Sequence, residues 1–190
     1  MKNIVTKIRE YYPMSDEALQ AMLDCMTPVH YPKDTVLVHS VRKDGKDGKV
    51  YFIEEGVTRS IFHNGDKDTT TWFSCEGDIT FGMYSLYHGN PSIESVETLT
   101  NCLIYSMPID SLNALYERYI DIANWGRVIH QECNAMLSLF FVERLQLTPK
   151  ERYQMFLKHY PGLVNRVKLK YIAEFLGISI YTLSRVRGEI

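Results

Sequence analysis

The residues best suited to chemistry lie near the end of the chain, at helical spacing. The planar fork of Arg185 can pair with O6 and N7 of guanine, and an apolar side chain such as Ile180 can meet a thymine methyl group. Four nearby residues are better suited to phosphate contacts, which add affinity without sequence information: Arg166, Lys168, Lys170 and Thr182. The predicted DNA-contacting set is Lys168, Lys170, Ser179, Ile180, Tyr181, Thr182, Ser184, Arg185 and Arg187.

Two short helices are predicted to position these side chains. Gly177 can supply the positive φ at which the first helix ends, and Ser179 is suited to accept from a free N–H group at the start of the second. The apolar residues Ile172, Ala173, Leu176, Leu183 and Val186 give both helices a buried side. Two helices joined by a tight glycine turn predict a helix-turn-helix, whose second helix enters the major groove.

The distribution of charge agrees with this interpretation. Residues 144–190 carry nine Lys or Arg and three acidic residues, whereas residues 1–143 carry 12 basic and 20 acidic side chains. A basic C-terminal module suits a phosphate backbone. The acidic remainder would be repelled by DNA, so it is expected to have another role.

Other functional classes find little support in the sequence. The four cysteines are far apart and form no CxxC pair, which argues against a structural zinc site and a disulfide scaffold. The nucleophile-elbow, HExxH, P-loop and dinucleotide-binding patterns are missing, so we expect no enzyme. No apolar run approaches the ~20 residues that span a bilayer, and residues 1–12 do not resemble a signal peptide. A cytoplasmic protein with no membrane contact is expected.

Periodicity divides the chain into three parts. Residues 1–107 begin with helical spacing broken at Pro13, with Ser15 and Asp16 as candidate caps of the second helix. They continue as short β-branched and aromatic runs separated by turns, typical of an antiparallel sandwich or barrel. The predicted strands are Val36–His39, Val50–Ile53, Val57–Phe62, Thr69–Phe73, Ser95–Leu99 and Cys102–Ser106. Residues 108–145 return to helical spacing. Residues 146–190 contain a further helix and the helix-turn-helix. Thr148 and Glu151 predict a capping box at the start of that further helix.

A stripe in the second part has the spacing of a helix–helix seam. Its members alternate steps of four and three residues, and apolar residues outside it suggest that the helix is covered on two sides. We favour a dimer helix over a core helix of a monomer. The predicted dimer stripe is Ile122, Gly126, Ile129, Cys133, Met136 and Phe140.

The order of these parts resembles the cyclic-AMP receptor protein/fumarate–nitrate regulator (Crp/Fnr) family. Residues 31–37 are similar to its opening strand, Val50–Gly56 to its Y-x-I-x-x-G hairpin, and Gly77–Asp78 with Phe81–Gly82 to the approach to its phosphate-binding segment. The resemblance implies an α+β chain with an N-terminal antiparallel β-roll (a cyclic-nucleotide-binding-like jelly roll), a long dimerisation helix and a C-terminal helix-turn-helix.

This resemblance also implies a function. A homodimeric, sequence-specific transcription regulator would bind a near-palindromic DNA operator, and the β-roll would sense an effector and reposition the helix-turn-helix. RNA polymerase is a further candidate partner. The alternative is a ligand-binding or protein-interaction module whose helix-turn-helix does not bind DNA.

The cyclic-nucleotide contacts of the family are not matched. Met83 stands where the family's ribose-binding Glu would lie, and Ser92 or Ile93 where its phosphate-binding Arg would lie; residues 68–105 contain no Lys or Arg. An anion buried without a cation costs several kcal/mol, so tight cyclic-AMP binding is not expected and the effector is another molecule or none. The predicted effector pocket is Phe81, Gly82, Met83, Ser92, Ile93, Trp125 and Ile129.

No cofactor or metal is predicted, with haem left open. Cys25 stands alone near the N-terminus, where the iron–sulfur branch of the family needs a cysteine cluster. A haem-sensing branch needs only one axial His or Cys. The candidate axial histidines are His30, His39, His63, His88 and His130, although each is better explained as an ordinary surface or hydrogen-bonded residue.

Overall fold

The structure is a computed structural model that describes residues 1–39, 48–65, 67–82 and 94–189. It begins with two helices, α1 (Lys2–Tyr11) and α2 (Asp16–Asp24). The break between them falls at Pro13, and the Ser15 side chain accepts from the Ala18 N–H group, as the sequence predicts.

Eight described strands form two antiparallel four-stranded sheets, which confirms the predicted roll. One sheet has the order β1-β8-β3-β6 and the other β2-β7-β4-β5. The strands β1 and β6 were not predicted, because β1 carries Pro28 at a sheet edge and β6 has only two residues. The bounds are β1 Thr27–Tyr31, β2 Val36–Val38, β3 Lys49–Glu55, β4 Thr58–Asn64, β5 Lys67–Ser74, β6 Ile79–Thr80, β7 Glu94–Thr98 and β8 Cys102–Pro108.

Helices make up the rest of the chain. The single helical region predicted after Pro108 is two helices, because Tyr119 is extended (φ −121°, ψ 111°) and separates them. The predicted capping box at Thr148 is present, with both reciprocal hydrogen bonds to Glu151. The bounds are α3 Ile109–Arg118, α4 Ile120–Gln146, α5 Pro149–His159, a 3₁₀ turn at Leu163–Asn165, α6 Leu169–Leu176 and α7 Ile180–Gly188.

Two hydrophobic cores hold these elements together. The first core joins α1 and α2 to β3, α3 and the N-terminal half of α4, and Trp125 stacks on Phe52 within it. The second core joins Phe73 of β5 and Phe140 of α4 to the α5–α7 module through Phe156 and Phe175. The helix-turn-helix is therefore packed on the roll of its own chain.

The predicted dimer stripe lies inside the protomer, which corrects that assignment. Ile122, Gly126 and Ile129 are buried in the first core, Phe140 is buried in the second, and Cys133 and Met136 are partly buried against them. A Cβ atom on Gly126 would lie 2.7 Å from the Tyr116 hydroxyl, so this glycine permits contact with α3. The spacing marked a buried face correctly but did not specify what covers it.

Outside the buried stripe, α4 exposes large apolar side chains. Among them, Phe141 is 64% exposed and Leu145 is 70% exposed. The others are Ile120, Leu137, Leu139 and Val142. Within the described residues, no helix is both long and apolar enough to cross a membrane.

Candidate nucleic-acid interface

The turn between α6 and α7 has the predicted geometry. Gly177 adopts φ 67° and ψ 35°, a left-handed conformation that glycine enters without the strain of a Cβ atom. Its N–H donates to the Glu174 carbonyl (3.1 Å), and the Ile178 N–H donates to the Ala173 carbonyl (3.0 Å). These hydrogen bonds cap the C-terminus of α6, and the chain continues directly into α7.

Ser179 caps α7, as the sequence predicts. Its Oγ accepts from the Thr182 N–H group at 3.0 Å and is 2.8 Å from the Thr182 hydroxyl. The two hydroxyl groups, both predicted to contact DNA, are therefore joined to each other at the first turn. The cap therefore satisfies a backbone N–H group at the start of α7.

The two sides of α7 differ in exposure. Leu183 and Val186 face the second core, with 0% and 4% of their surface exposed. On the outer side, Ile180 is 45% exposed and Tyr181 is 85% exposed; Ser184, Arg185 and Arg187 are also exposed. Five of the nine predicted DNA contacts thus share one accessible face, with an apolar and an aromatic group before the basic ones.

The predicted phosphate contacts on and before α6 have partners within the chain. The Lys170 ammonium lies 3.8 Å from a Glu174 carboxylate oxygen. Lys168 lies over the Tyr171 ring, 5.6 Å from its centre. Both lysines are exposed, so they are accessible from solvent while held near α6.

A buried arginine that the sequence reasoning missed fastens α6 to the roll. Arg59 of β4 is 6% exposed. Its Nε donates to Glu97 (2.7 Å) and its Nη1 to Glu174 (3.1 Å). The guanidinium also lies over the Tyr171 ring, 3.5 Å from its centre, and Nη1 donates to Thr70 (2.9 Å). We call this group the Arg59 clamp; its only sequence signal was a charge within a predicted strand.

A second ion pair joins the same surfaces. The guanidinium of Arg166 donates through both terminal nitrogens to Glu76, at 2.8 and 2.5 Å. Burial raises the pKa of Glu76, but hydrogen bonds from Arg166 and from the Gly56 N–H outweigh it, so the pKa of Glu76 is lowered. The bond to Glu76 raises the pKa of Arg166. Arg166, expected to contact phosphate, thus has a carboxylate partner.

Aromatic contacts complete the support for the helix-turn-helix. The Phe73 ring lies 5.5 Å from Phe175, 5.8 Å from Tyr160 and 6.1 Å from Phe156, centre to centre. Phe140 of α4 lies 5.2 Å from Phe175. Burial raises the pKa of Tyr160 well above its ordinary value. One strand residue, Phe73, therefore touches both α5 and α6.

The predicted effector pocket is described in part. Trp125 and Ile129 are buried in the first core, Phe81 packs against that core, and Gly82 is buried. Trp125 Nε1 is buried and makes no hydrogen bond with the described residues. The other predicted members, Met83, Ser92 and Ile93, lie outside the described residues, so the pocket stays a prediction.

The candidate axial histidines differ in their surroundings. His63 is hydrogen-bonded to Asp68 (2.8 Å) and to Ser95, and His130 Nδ1 lies 2.7 Å from the Gly126 carbonyl oxygen. His30 and His39 are exposed, and His88 lies outside the described residues. The described part of the chain contains no group of three metal-binding side chains.

The cysteines are free thiols. Burial, with Asp78 nearby, raises the pKa of Cys75 to about 12. Since metals and electrophiles react with the thiolate rather than the thiol, this raised pKa disfavours reaction of Cys75 at neutral pH. Burial likewise raises the pKa of Cys102 and Cys133.

Comparisons with known proteins agree with this architecture. Residues 28–119 match the cyclic nucleotide-binding domain family. FixK2 from Bradyrhizobium japonicum is similar over 86% of this chain and 83% of its own, with a TM-score of 0.73 and 18% identity. The c-di-GMP-responsive global regulator CLP from Xanthomonas campestris is similar over 92% and 91%, with a TM-score of 0.69 and 15% identity.

A third similar structure carries the family name. It is a crp/fnr-family transcriptional regulator from Eubacterium rectale, with a TM-score of 0.69 and 12% identity over 95% of this chain and 87% of its own. The chain has the fold of the Crp/Fnr regulators. In this Crp/Fnr fold, the roll contains the matched domain and α7 is the second helix of the helix-turn-helix. A search of the curated proteins finds no match.

Proposed function

We propose that the protein is a homodimeric, sequence-specific DNA-binding transcription regulator. The observation that carries the proposal is the outer face of α7. There Tyr181 and Arg185 project one turn apart from a helix fixed by the Ser179 cap, the Gly177 turn and two buried side chains. A rigid helix that presents apolar, aromatic and guanidinium groups together is suited to reading base edges in the major groove.

The dimer contact is assigned to the side of α4 opposite the buried stripe. Residues there alternate steps of four and three, the spacing of a helix–helix seam. The small side chains of Ala135 and Ser138 allow a second helix to approach closely. We call this the outer stripe, formed by Asn124, Val128, Gln131, Ala135, Ser138, Val142 and Leu145. A two-fold axis along it would present two α7 helices to half-sites about 34 Å apart.

The Arg59 clamp connects the roll to the helix-turn-helix in this proposal. A change in the roll that moves β4 or β5 would shift α6, and α7 with it, because Arg59 and Phe73 contact α6 directly. The effector is unidentified, tight cyclic-AMP binding is not expected, and haem remains a candidate. RNA polymerase as partner, the near-palindromic operator and the cytoplasmic location stay predictions from the sequence.

Selection of oligonucleotides from a random pool tests the proposal. We expect a near-palindrome with half-site centres one helical turn apart. Arg185→Ala should weaken binding to the selected sequence about tenfold or more, since a bidentate guanine contact contributes roughly 1–3 kcal/mol. The matched control is Arg118→Ala, an exposed arginine on α3, which should leave binding unchanged. Equal affinities for Arg185→Ala and the native protein would contradict the assignment of α7.

The salt dependence of binding distinguishes the alternative function, an interaction module that does not bind DNA. A complex held by phosphate contacts weakens steeply as salt rises, whereas a protein–protein or small-molecule complex without such contacts does not. One observation favours this alternative. Arg166 and Lys170, which are predicted to contact phosphate, are already paired with carboxylates of the chain. Failure to select any oligonucleotide, together with salt-insensitive capture of a protein partner, would favour it.

A further inference from the structure

A groove opens where α4 meets the helix-turn-helix. It encloses about 220 Å³ between the C-terminal half of α4, the start of α5 and the end of α6. Phe140 and Phe175 form its apolar floor, with 9% and 6% of their surface exposed. Leu137 and Phe141 stand at its mouth, 44% and 64% exposed. An occupant that covered these two side chains would remove apolar surface from water, which is favourable.

Two arginines give one end of the groove its charge. Arg144 donates to the Phe175 carbonyl. Arg152 donates from Nε to the Leu147 carbonyl (3.0 Å) and from Nη1 to the Leu176 carbonyl (2.9 Å). A guanidinium has five N–H donors, so both retain donors after these bonds.

Neither arginine has a carboxylate partner among the described residues. Glu143, which also lines the groove, is 3.2 Å from His159 Nε2. Burial, together with the neighbouring charge of Arg152, lowers the pKa of Arg144. Two neighbouring cations without a carboxylate partner, beside an apolar floor, favour an anion that lies between them.

We propose that this groove binds a small amphipathic carboxylate. Its apolar part lies over Phe140 and Phe141, and its carboxylate accepts from Arg144 and Arg152. The volume is below the ~300 Å³ of the smallest drug-sized sites, so the ligand has on the order of ten non-hydrogen atoms. The site is separate from the predicted effector pocket in the roll, which involves Trp125 and Ile129 of the other half of α4.

The position of the groove gives its occupant influence over α7. Arg152 Nη1 lies 3.8 Å from where a Cβ atom on Gly177 would stand, next to the turn that aims α7. A bound carboxylate that draws Arg144 or Arg152 away from the end of α6 would therefore alter DNA affinity. This consequence rests on the proposed function, whereas binding of the carboxylate does not.

The first experiment compares two isosteric ligands. 4-Phenylbutyrate and its neutral amide, 4-phenylbutyramide, are titrated into the full-length protein without DNA. Calorimetry measures affinity, and fluorescence of Trp72, whose ring lies 5.5 Å from Phe140, reports occupancy of the groove. We expect the carboxylate to bind at least tenfold more tightly than the amide. Equal affinities, or no saturable binding of 4-phenylbutyrate, would overturn the proposal.

Matched variants locate the site. Arg144→Gln and Phe141→Ser should each weaken 4-phenylbutyrate binding about tenfold. Their controls on the same helix are Arg127→Gln and Leu139→Ser, at exposed positions that line neither the groove nor the outer stripe, and both should bind as the native protein does. Phe141 is largely exposed, so Phe141→Ser tests the site even if Arg144→Gln fails to fold. Retained binding in Phe141→Ser would overturn the proposal.

A last measurement distinguishes a carboxylate from a second copy of the chain as the occupant of the groove. It also distinguishes failure of the groove proposal from failure of the proposed DNA-binding function. If Phe141→Ser converts a dimer to a monomer in sedimentation while 4-phenylbutyrate affinity is unchanged, a second copy of the chain covers the groove and the proposal fails. If 4-phenylbutyrate binds with the expected variant pattern but no oligonucleotide is selected, the groove assignment stands and the proposed DNA-binding function fails.

Discussion

The two halves of α4 use the same kind of sequence for different purposes. In the N-terminal half, Ile122, Trp125 and Ile129 are buried against other parts of their own chain. In the C-terminal half, Phe140 alone is buried, while Phe141 and Leu145 are largely exposed. The first half is an ordinary core helix. The second half touches the helix-turn-helix on one side and leaves apolar surface uncovered on the other.

This difference shows what an apolar stripe can reveal. The regular stripe from Ile122 to Phe140 marks contacts within the protomer, although its spacing is that of a seam between two chains. The outer stripe was hidden in the sequence because Ala135, Ser138 and Gln131 interrupt its apolar residues. Regular hydrophobic spacing thus identifies a covered face, but the identity of its cover depends on the rest of the fold.

Truncation of one large side chain in each half of α4 should show the largest difference between the two halves. Trp125→Ala removes a side chain that is 2% exposed and stacked on Phe52, so it should lower the free energy of unfolding by about 3–5 kcal/mol. Phe141→Ala, at a largely exposed position, should change it by about 0.5 kcal/mol or less. Chemical denaturation of both variants provides the measurement. Similar losses in the two would contradict the contrast between the halves.

The inner side of the C-terminal half depends on docking of the helix-turn-helix, so loosening the Arg59 clamp should expose it. Arg59→Met leaves Glu97 without its cation and Glu174 with only the exposed Lys170, and we expect a loss of about 2–4 kcal/mol in unfolding free energy. Limited proteolysis should also cut faster near Leu147. Arg118→Met, at an exposed arginine, is the control and should leave both unchanged. A clamp variant as stable as the native protein would show that aromatic packing alone secures the module.

The outer side of the same half is tested by a charge on the outer stripe. Ala135→Glu would place two like charges at a two-fold contact, and we expect the dimer dissociation constant to rise roughly tenfold or more, about 1.4 kcal/mol. Ala114→Glu introduces the same side chain on the exposed face of α3 and should not alter it. Sedimentation over a concentration series measures both. If Ala135→Glu stays as dimeric as its control, the stripe is not the seam.

The smallest expected effect concerns the Glu76–Arg166 pair, which joins the helix-turn-helix to the turn after β5. The pKa of Glu76 is lowered in the folded protein, so the pair contributes fully above the ordinary value of 4.5 and is lost as pH falls through the lower, folded value. Glu76→Gln should lower stability by about 1 kcal/mol or less at pH 7. That difference should shrink below pH 4.5.

A control separates this effect from general acid denaturation. Glu117, an exposed acid on α3 with no ion pair among the described residues, is changed to Gln in parallel. Unfolding by denaturant from pH 7 to pH 3 gives both series. A Glu76→Gln deficit that stays constant down to pH 3 would show that the pair does not act through the charge of Glu76.

Local chemistry explains which features the sequence predicted well. The caps at Ser15, Thr148 and Ser179 and the turn at Gly177 depend on side chain-to-main chain rules that act within a few residues, and the structure confirms all four. Strand and turn patterns predicted an antiparallel sandwich or barrel, and the resemblance to the Crp/Fnr family specified a β-roll. Strand β1 was not predicted, because it contains Pro28, and proline is tolerated in a strand only at a sheet edge or a bulge.

Contacts between distant residues could not be read in this way. Arg59 and Glu174 are 115 positions apart, and neither position shows a local pattern that names the other. The exposure of α7 followed from periodicity, whereas the carboxylate partners of Arg166 and Lys170 required the folded chain. The nine predicted DNA contacts therefore remain predictions, although the geometry of the two helices that carry them is now described.

The acidic partners of Arg166 and Lys170 have a consequence for the ion balance of the proposed DNA binding. A phosphate that takes over either cation releases its own condensed counterion, but the freed Glu76 then draws a cation back from solution. Glu174 does so to a smaller extent, because it keeps Arg59 when Lys170 leaves. Net counterion release is therefore smaller than the number of basic side chains indicates. The slope of log affinity against log salt should be shallower by up to about 0.9 for each exchanged contact.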